Sequence, residues 1–262
     1  MPRYIACLFA CLISIALAPG ATAADLKVMI SAGFFNVYAQ LGPAFEKASG
    51  HKLVTTRGPS LGDSPEAIPT RLTRGEEADV VIMDGAGVDI LDQRGLARPG
   101  SRVPLAESFI GMVVRAGQPK PDIGTVEALR KTLLAAKSIA YSDSSSGTYL
   151  STVGFKKLGI AEQVAGKSRK VRGPPTGEPV AAVVARGEAE IGFQQVAELI
   201  HVAGADFVGT VPAEIQPPTF FVGALPKNSQ HPDAALALLR FLSSAEAAAV
   251  ITKAGLKPLA AR

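Results

Sequence analysis

Short apolar runs alternate with amphipathic helical stretches along most of this chain, and that alternation narrows its fold more than any other feature. Leu26–Ser31 reads as a buried strand, followed by a helix from about Asn36 to Ala48 with Val37, Leu41 and Phe45 on one side. Lys52–Thr56 is a second strand, residues 65–74 a short helix, Asp79–Met83 a third strand, and Val88–Arg94 a helix that stops at Gly95. Strands and helices in turn predict parallel β-α units. The rhythm changes near Pro104–Glu107. Beyond it, Ser108–Arg115, Ser138–Ser142, Glu190–Gln194, a stretch near 206–211 and Thr219–Ala224 read as strands. Helices are predicted over 125–136 and 179–186, with a basic connector at 167–172 between them. Two Ala- and Leu-rich helices, about 232–242 and 245–254, finish the chain. The layout predicts two α/β lobes, 25–105 together with 225–262, and 106–224. Two crossings, near 104–108 and 212–218, would join them, with a ligand between the lobes at the carboxyl ends of the strands.

The first 23 residues do not share that alternation. Arg3 supplies a charged start, Ile5–Leu17 an apolar run and Ala21-Thr22-Ala23 a small-residue cleavage site, so a secretory signal peptide is expected over 1–23. Its apolar run is too short to span a membrane comfortably. Both cysteines, Cys7 and Cys11, fall inside it. The exported chain is therefore expected to have no disulfide, thiol nucleophile or thiolate metal site, and must rely on its apolar core, which 262 residues allow. Loss of Arg3 takes the 27 basic residues to 26, against 23 acidic ones, a mild surplus that suits a small anion. No Lys/Arg cluster is interleaved with aromatics, which argues against nucleic acid as a partner. His51, His201 and His231 lack the close spacing of a zinc site, and no GxSxG serine elbow occurs. No metal or other cofactor is expected.

Asp143-Ser144-Ser145-Ser146-Gly147-Thr148-Tyr149-Leu150 lies between a predicted strand and a predicted helix. A strand, a loop of small hydroxyl residues and a helix start together aim backbone N–H groups at an anion. Serine and threonine hydroxyls add donors, Gly147 lets the backbone approach a ligand, and Tyr149 can close over it. The lysine of a phosphate-cradling loop is absent, so nucleotide hydrolysis is disfavoured. The same residues also suit an ordinary helix N-cap, and the loop alone does not choose between the two.

Three further stretches carry a family resemblance. Ala78-Asp79-Val80-Val81-Ile82-Met83 looks like an "ADxxI" strand, Gly147-Thr148-Tyr149 resembles an "AGxY" turn, and Arg186-Gly187-Glu188-Ala189-Glu190-Ile191-Gly192 resembles an "xGEAxxG" passage. In this order and spacing they resemble the periplasmic solute-binding proteins, most closely the molybdate-binding branch, across essentially the whole exported chain. The resemblance implies an α/β, two-lobed periplasmic binding protein fold of type II, each lobe a sheet flanked by helices, with domain closure over a small anionic ligand. It implies a periplasmic location, a monomer, and an ABC transporter permease as partner if the chain is a transport receptor. It also implies ligand loops at Ser31-Ala32-Gly33-Phe34, at Arg57-Gly58-Pro59-Ser60, at Ser144–Tyr149, at Thr176-Gly177-Glu178 and at Gln194-Gln195.

Departures from that branch point away from a tetrahedral oxyanion. Gly33 stands where the resemblance implies a serine, Arg57 enters a lengthened second loop, and glutamine replaces the tyrosine of the fifth. A guanidinium grips a planar carboxylate bidentately, so a small polycarboxylate site is expected, although Arg57 could equally be a surface arginine. The resemblance extends to the aconitate isomerases, whose allylic proton shift moves a double bond between trans- and cis-aconitate. That chemistry needs cations and N–H donors for the dienolate and one or two groups to move the proton. Tyr149, Glu178 and His201 are the candidates. Glu178 serves if desolvation raises its pKa, but it also suits a helix first turn; His201 titrates usefully but also suits the surface. Phe34 and Phe35 wall the cleft or enter the core.

Overall fold

The computed structural model describes residues 23–62 and 64–259, so the expected leader lies outside the described residues but for its last position. Two mixed sheets form. The first holds β1 (Asp25–Ile30), β2 (Lys52–Arg57), β3 (Val80–Asp84), β4 (Val103–Ser108), β10 (Thr219–Ala224) and β11 (Lys257–Pro258), in the order β11-β4-β10-β3-β1-β2. The second holds β5 (Ile110–Arg115), β6 (Ile139–Ser142), β7 (Ser168–Val171), β8 (Ile191–Gln195) and β9 (Ala205–Thr210), in the order β7-β6-β8-β5-β9.

Alternation within each strand builds a core on both faces of each sheet, as period-two side-chain direction requires. In the first sheet Val28, Ile30, Val80 and Ile82 face the helices Ala32–Ser49, Pro232–Leu242 and Ala245–Lys253. Met29, Val81 and Met83 face the helices Ile68–Thr73 and Gly85–Gln93. In the second sheet Met112, Ile139 and Phe193 meet helix Val126–Ala135, while Val113 and Ala140 meet helix Val180–Ala185. Each large side chain buried this way contributes ~1.5–3 kcal/mol. Among the described residues no single helix is long and apolar enough to cross a membrane.

Four expectations need correction. The strand Thr219–Ala224, expected in the 106–224 lobe, hydrogen-bonds between β3 and β4 of the first sheet, antiparallel to both. β5 is likewise antiparallel to β8 and β9, so the sheets are mixed rather than parallel. Both reversals follow from the crossings, which bring the chain into each new sheet against its prevailing direction. Residues 103–108, where the rhythm changes, are a strand, with Pro104 at the register shift opposite Phe221/Val222. The basic connector is edge strand β7, its Arg169 and Lys170 exposed.

Phe109 alone separates β4 from β5, and residues 211–218 form the second crossing. Gln195 ties them together: its Oε1 accepts from Ser108 Oγ at 2.7 Å and its Nε2 donates to Thr219 Oγ1 at 2.9 Å. Gln216, also buried, binds Ile110 N–H at 2.6 Å and donates to the Val211 carbonyl at 2.7 Å. The hinge is thus braced by two buried amides.

Candidate functional site

The carboxyl ends of β1, β2 and β3 meet those of β6, β7 and β8 across the seam between the sheets. Arg172, just past β7, donates to Glu66 Oε2 at 2.8 Å from the opposite side. Asn36 Nδ2 donates to the Ala197 carbonyl at 3.1 Å. Burial raises the Asp84 carboxyl's pKa, partly offset by the Ala86 N–H that it accepts and by Ser145 nearby. Gly62, at φ 111°, brings its backbone against the Asp143 carbonyl, where a side chain would crowd at 3.0 Å.

Arg57 ends β2, paired in register with Ile30 of β1. Its guanidinium lies 4.0 Å over the Phe35 ring, a cation–π arrangement that helps to hold it in place. Its Nε is buried with no hydrogen-bond partner, and Arg57 takes part in none of the ion pairs among the described residues. Burial lowers the guanidinium's pKa, and Glu198 partly offsets that. One residue beyond Ile30, Ser31 is the N-cap of the eighteen-residue helix Ala32–Ser49 yet makes no capping bond; its Oγ too is buried and unpartnered. Two buried donors without acceptors, one of them cationic and one at a helix N-terminus, are the makings of an anion site.

Glu198, which no sequence motif singles out, lies near enough to Arg57 for their charges to interact, without forming an ion pair. It lies on the short helix Val196–Leu199 that follows β8. That helix leaves the second sheet but packs on the first lobe, with Ala197 buried in the first lobe's core. Gln194 Nε2 donates to Glu198 Oε2 at 2.5 Å, while Gln194 Oε1 accepts from Val180 N–H at 2.9 Å. Burial pushes the Glu198 carboxyl up to about 8, against the pull of Arg57 and the Gln194 bond, with Asp143 adding to the rise.

The serine loop is built tightly. Ser142 and Ser146 hydroxyls lie 2.9 Å apart, and Gly147 N–H donates to Ser142 Oγ at 3.2 Å. A Cβ at Gly147 would fall 1.8 Å from the Ser142 carbonyl oxygen, so only glycine fits. Ser144 caps the helix Ser145–Tyr149 without a side-chain bond, leaving its hydroxyl for other use. The chain then widens into a π turn at Leu150–Gly154, a geometry frequent beside functional sites.

A family model for bacterial extracellular solute-binding proteins matches residues 26–257. The chain belongs to that family. Among the solute-binding proteins and their relatives, it is 48% identical over 237 residues to an aconitate isomerase from a Pseudomonas species, covering 90% of this chain and 89% of that one. It is 28% identical over 247 residues to the molybdate-binding protein ModA of Azotobacter vinelandii, covering 91% and 92%. The solved Azotobacter vinelandii periplasmic molybdate-binding protein shares its fold at TM-score 0.70 and 25% identity, over 88% of this chain and 98% of that one. The sulfate-binding protein SubI from Mycobacterium tuberculosis H37Rv does so at TM-score 0.71 and 19% identity, over 91% and 88%. The two-lobed α/β fold expected from the sequence is the fold of these binding proteins.

Within this solute-binding fold, several residues expected at the site lie elsewhere or are otherwise engaged. Phe34 is fully buried in the first lobe's core, its ring 6.3 Å from Phe221, while its neighbour Phe35 carries the Arg57 stack. Gly33 is pressed against the Phe221 ring, which occupies the space a serine side chain would need. Gln195 braces the hinge with both ends of its amide, whereas Gln194 orients Glu198. Ser60 is buried and accepts the Asp84 N–H at 2.9 Å. Thr148, Thr176 and Gly177 are exposed.

The three proton-handling candidates fare no better. Tyr149 donates its hydroxyl to the Ile215 carbonyl at 2.7 Å. Glu178, expected to be desolvated with a raised pKa, forms a half-exposed bidentate ion pair with Arg186 at 2.6 Å to each oxygen, and that partner lowers its pKa. His201 is exposed in the turn after the Val196–Leu199 helix.

Proposed function

We propose that this protein is a periplasmic isomerase that interconverts trans- and cis-aconitate by an allylic proton shift in the cleft between its lobes. One observation carries the reading: in a chain 48% identical to an aconitate isomerase, a half-buried arginine at the end of β2 has a buried Nε without a hydrogen-bond partner. A planar fork of donors matches a carboxylate. When a proton leaves carbon, negative charge spreads onto that carboxylate, and a fixed cation stabilises it more in the transition state than in the ground state. Ser31 Oγ, Ser144–Ser146 and the N–H groups at the start of the serine-loop helix supply further donors for the other carboxylates. Closure across the Glu66–Arg172 seam would exclude water from the dienolate. The chemistry needs neither electron transfer nor a resident cofactor. Residues 1–23 act in this reading as an export leader, and the protein works as a monomer.

The 28% identity to ModA supports a second reading, a receptor that hands molybdate, tungstate or a small carboxylate to an ABC transporter permease. One experiment separates them. Purified protein is incubated with trans-aconitate and cis-aconitate is followed by chromatography, with molybdate binding titrated in parallel. Conversion supports the isomerase. Stoichiometric aconitate binding without conversion supports a carboxylate receptor, and tight molybdate binding alone sinks both carboxylate readings.

A further inference from the structure

We propose that Glu198 is the catalytic carboxyl that takes the proton from one allylic carbon of the bound tricarboxylate and returns it to the other; the assignment rests on the isomerase reading. The step needs a carboxyl fixed at the seam, shielded from water and beside the cation that holds the substrate. Tyr149, Glu178 and His201 fail on those terms, being bonded to Ile215, bonded to Arg186 and exposed respectively. Glu198 comes nearest to them: it is half-buried, held in place by hydrogen bonds from both sides, and within range of the Arg57 charge. Its helix is locked to the first lobe by the Asn36 bond to Ala197 and by burial of Ala197, while Gln194, held by Val180 N–H, fixes Oε2 from the second lobe. Oε1 has no hydrogen-bond partner among the described residues, which leaves it free to take up a proton.

The charged groups facing Glu198 are Arg57 from β2 and Asp143 from the end of β6. Arg57 draws the substrate's carboxylate to the carboxyl's side, and burial, with a smaller push from Asp143, raises its affinity for a proton. A carboxylate so placed is a stronger base than one in water. In the step, ionised Glu198 removes a proton from the methylene carbon, and the C–H electron pair becomes a dienolate spread onto the carboxylate at Arg57. Protonated Glu198 then gives the proton to the former vinyl carbon, and the double bond has moved by one position. Glu198 is regenerated as the carboxylate, and nothing is oxidised or reduced.

The test compares wild type, Glu198→Gln and Glu198→Asp by conversion of trans-aconitate, by uptake of deuterium into aconitate from heavy water, and by aconitate binding in calorimetry. Glu198→Gln is expected to lose conversion and deuterium uptake by about a hundredfold to ten-thousandfold, while still binding aconitate. Glu198→Asp, which keeps the carboxyl one methylene short, is expected to recover part of both rates. Conversion by Glu198→Gln at the wild-type rate overturns the proposal. So does loss of aconitate binding in both variants, which marks Glu198 as a residue of structure alone. A wild-type protein that binds aconitate without conversion or deuterium uptake instead removes the isomerase reading itself, and the assignment with it.

Discussion

The Arg57 guanidinium carbon lies 4.0 Å over the ring centre of Phe35, a residue in the first turn of the helix that Ser31 begins. Stacking on one face leaves the edge of the fork, with its donors, for a ligand. Arg57→Lys keeps the charge but loses both the plane and the paired donors. Aconitate binding is expected to weaken by about tenfold or more, the range set by one lost charge-assisted contact. Calorimetric titration checks it, and an unchanged Kd would place the guanidinium outside the site.

Ser31 separates ligand binding from folding. Its Oγ has no partner and makes no capping bond, so the ligand-free fold gains nothing from it. Ser31→Ala is expected to leave the unfolding midpoint within about a degree of wild type, or raise it, because a buried unpaired hydroxyl is removed. Aconitate binding should weaken by roughly fivefold, the worth of one ordinary hydrogen bond. A midpoint that drops sharply would show that the hydroxyl serves the helix and not the ligand.

The Glu66–Arg172 pair joins the lobes directly at 2.8 Å, with Ser64 also bonded to Glu66. Hydrogen bonding from Ser64, then from Arg172, holds the Glu66 carboxyl down at about 2. A pair this open to solvent is screened and worth little, so its removal should loosen closure rather than prevent it. Glu66→Gln is expected to raise KM by about twofold to fivefold, with kcat less affected. Added salt should weaken wild type more than the variant, because only wild type has the pair to screen. Equal salt dependence would sink the latch.

The strands and most helices were legible because each apolar run carries its own period. β1 and β3 feed cores on both faces, and the two C-terminal helices keep their apolar stripes in order. The serine loop was legible too, since a strand, hydroxyl residues and a glycine sit together in sequence. Glu198 was not. In sequence it is one acid in an ordinary helical turn, and its surroundings depend on the distant helix Ala32–Ser49, tied to the neighbouring Ala197 by a bond between residues 161 apart. A signal was present in Val196, Ala197, Leu199 and Ile200, an apolar setting with a lone carboxylate and Gln194 four residues before it. Glu178 misled for the opposite reason: its neutralising partner Arg186 stands at the far end of the short helix Val180–Ala185, a distance no local pattern reports.

Glu198 also predicts how stability depends on pH. Burial, the largest cause, pushes its carboxyl up to about 8 from an ordinary 4.5. Between those values the folded protein holds a proton that the unfolded chain has released, so stability falls as pH rises through the window. Below it both states are protonated and above it both are ionised, so Glu198 adds no slope there. Glu66 has the opposite sign: its contribution is present above the ordinary 4.5 and is lost as pH falls toward about 2, outside the Glu198 window. The unfolding midpoint of ligand-free wild type, measured by calorimetry, is therefore expected to drop from about pH 5 to about pH 8, and Glu198→Gln to remove that part of the slope. Aconitate should add a second dependence, because a bound carboxylate beside Arg57 raises the cost of ionising Glu198 and extends the window upward. Parallel slopes in wild type and Glu198→Gln would mean that the carboxyl is solvated and ionised throughout, and would leave it no advantage as a base over any surface glutamate.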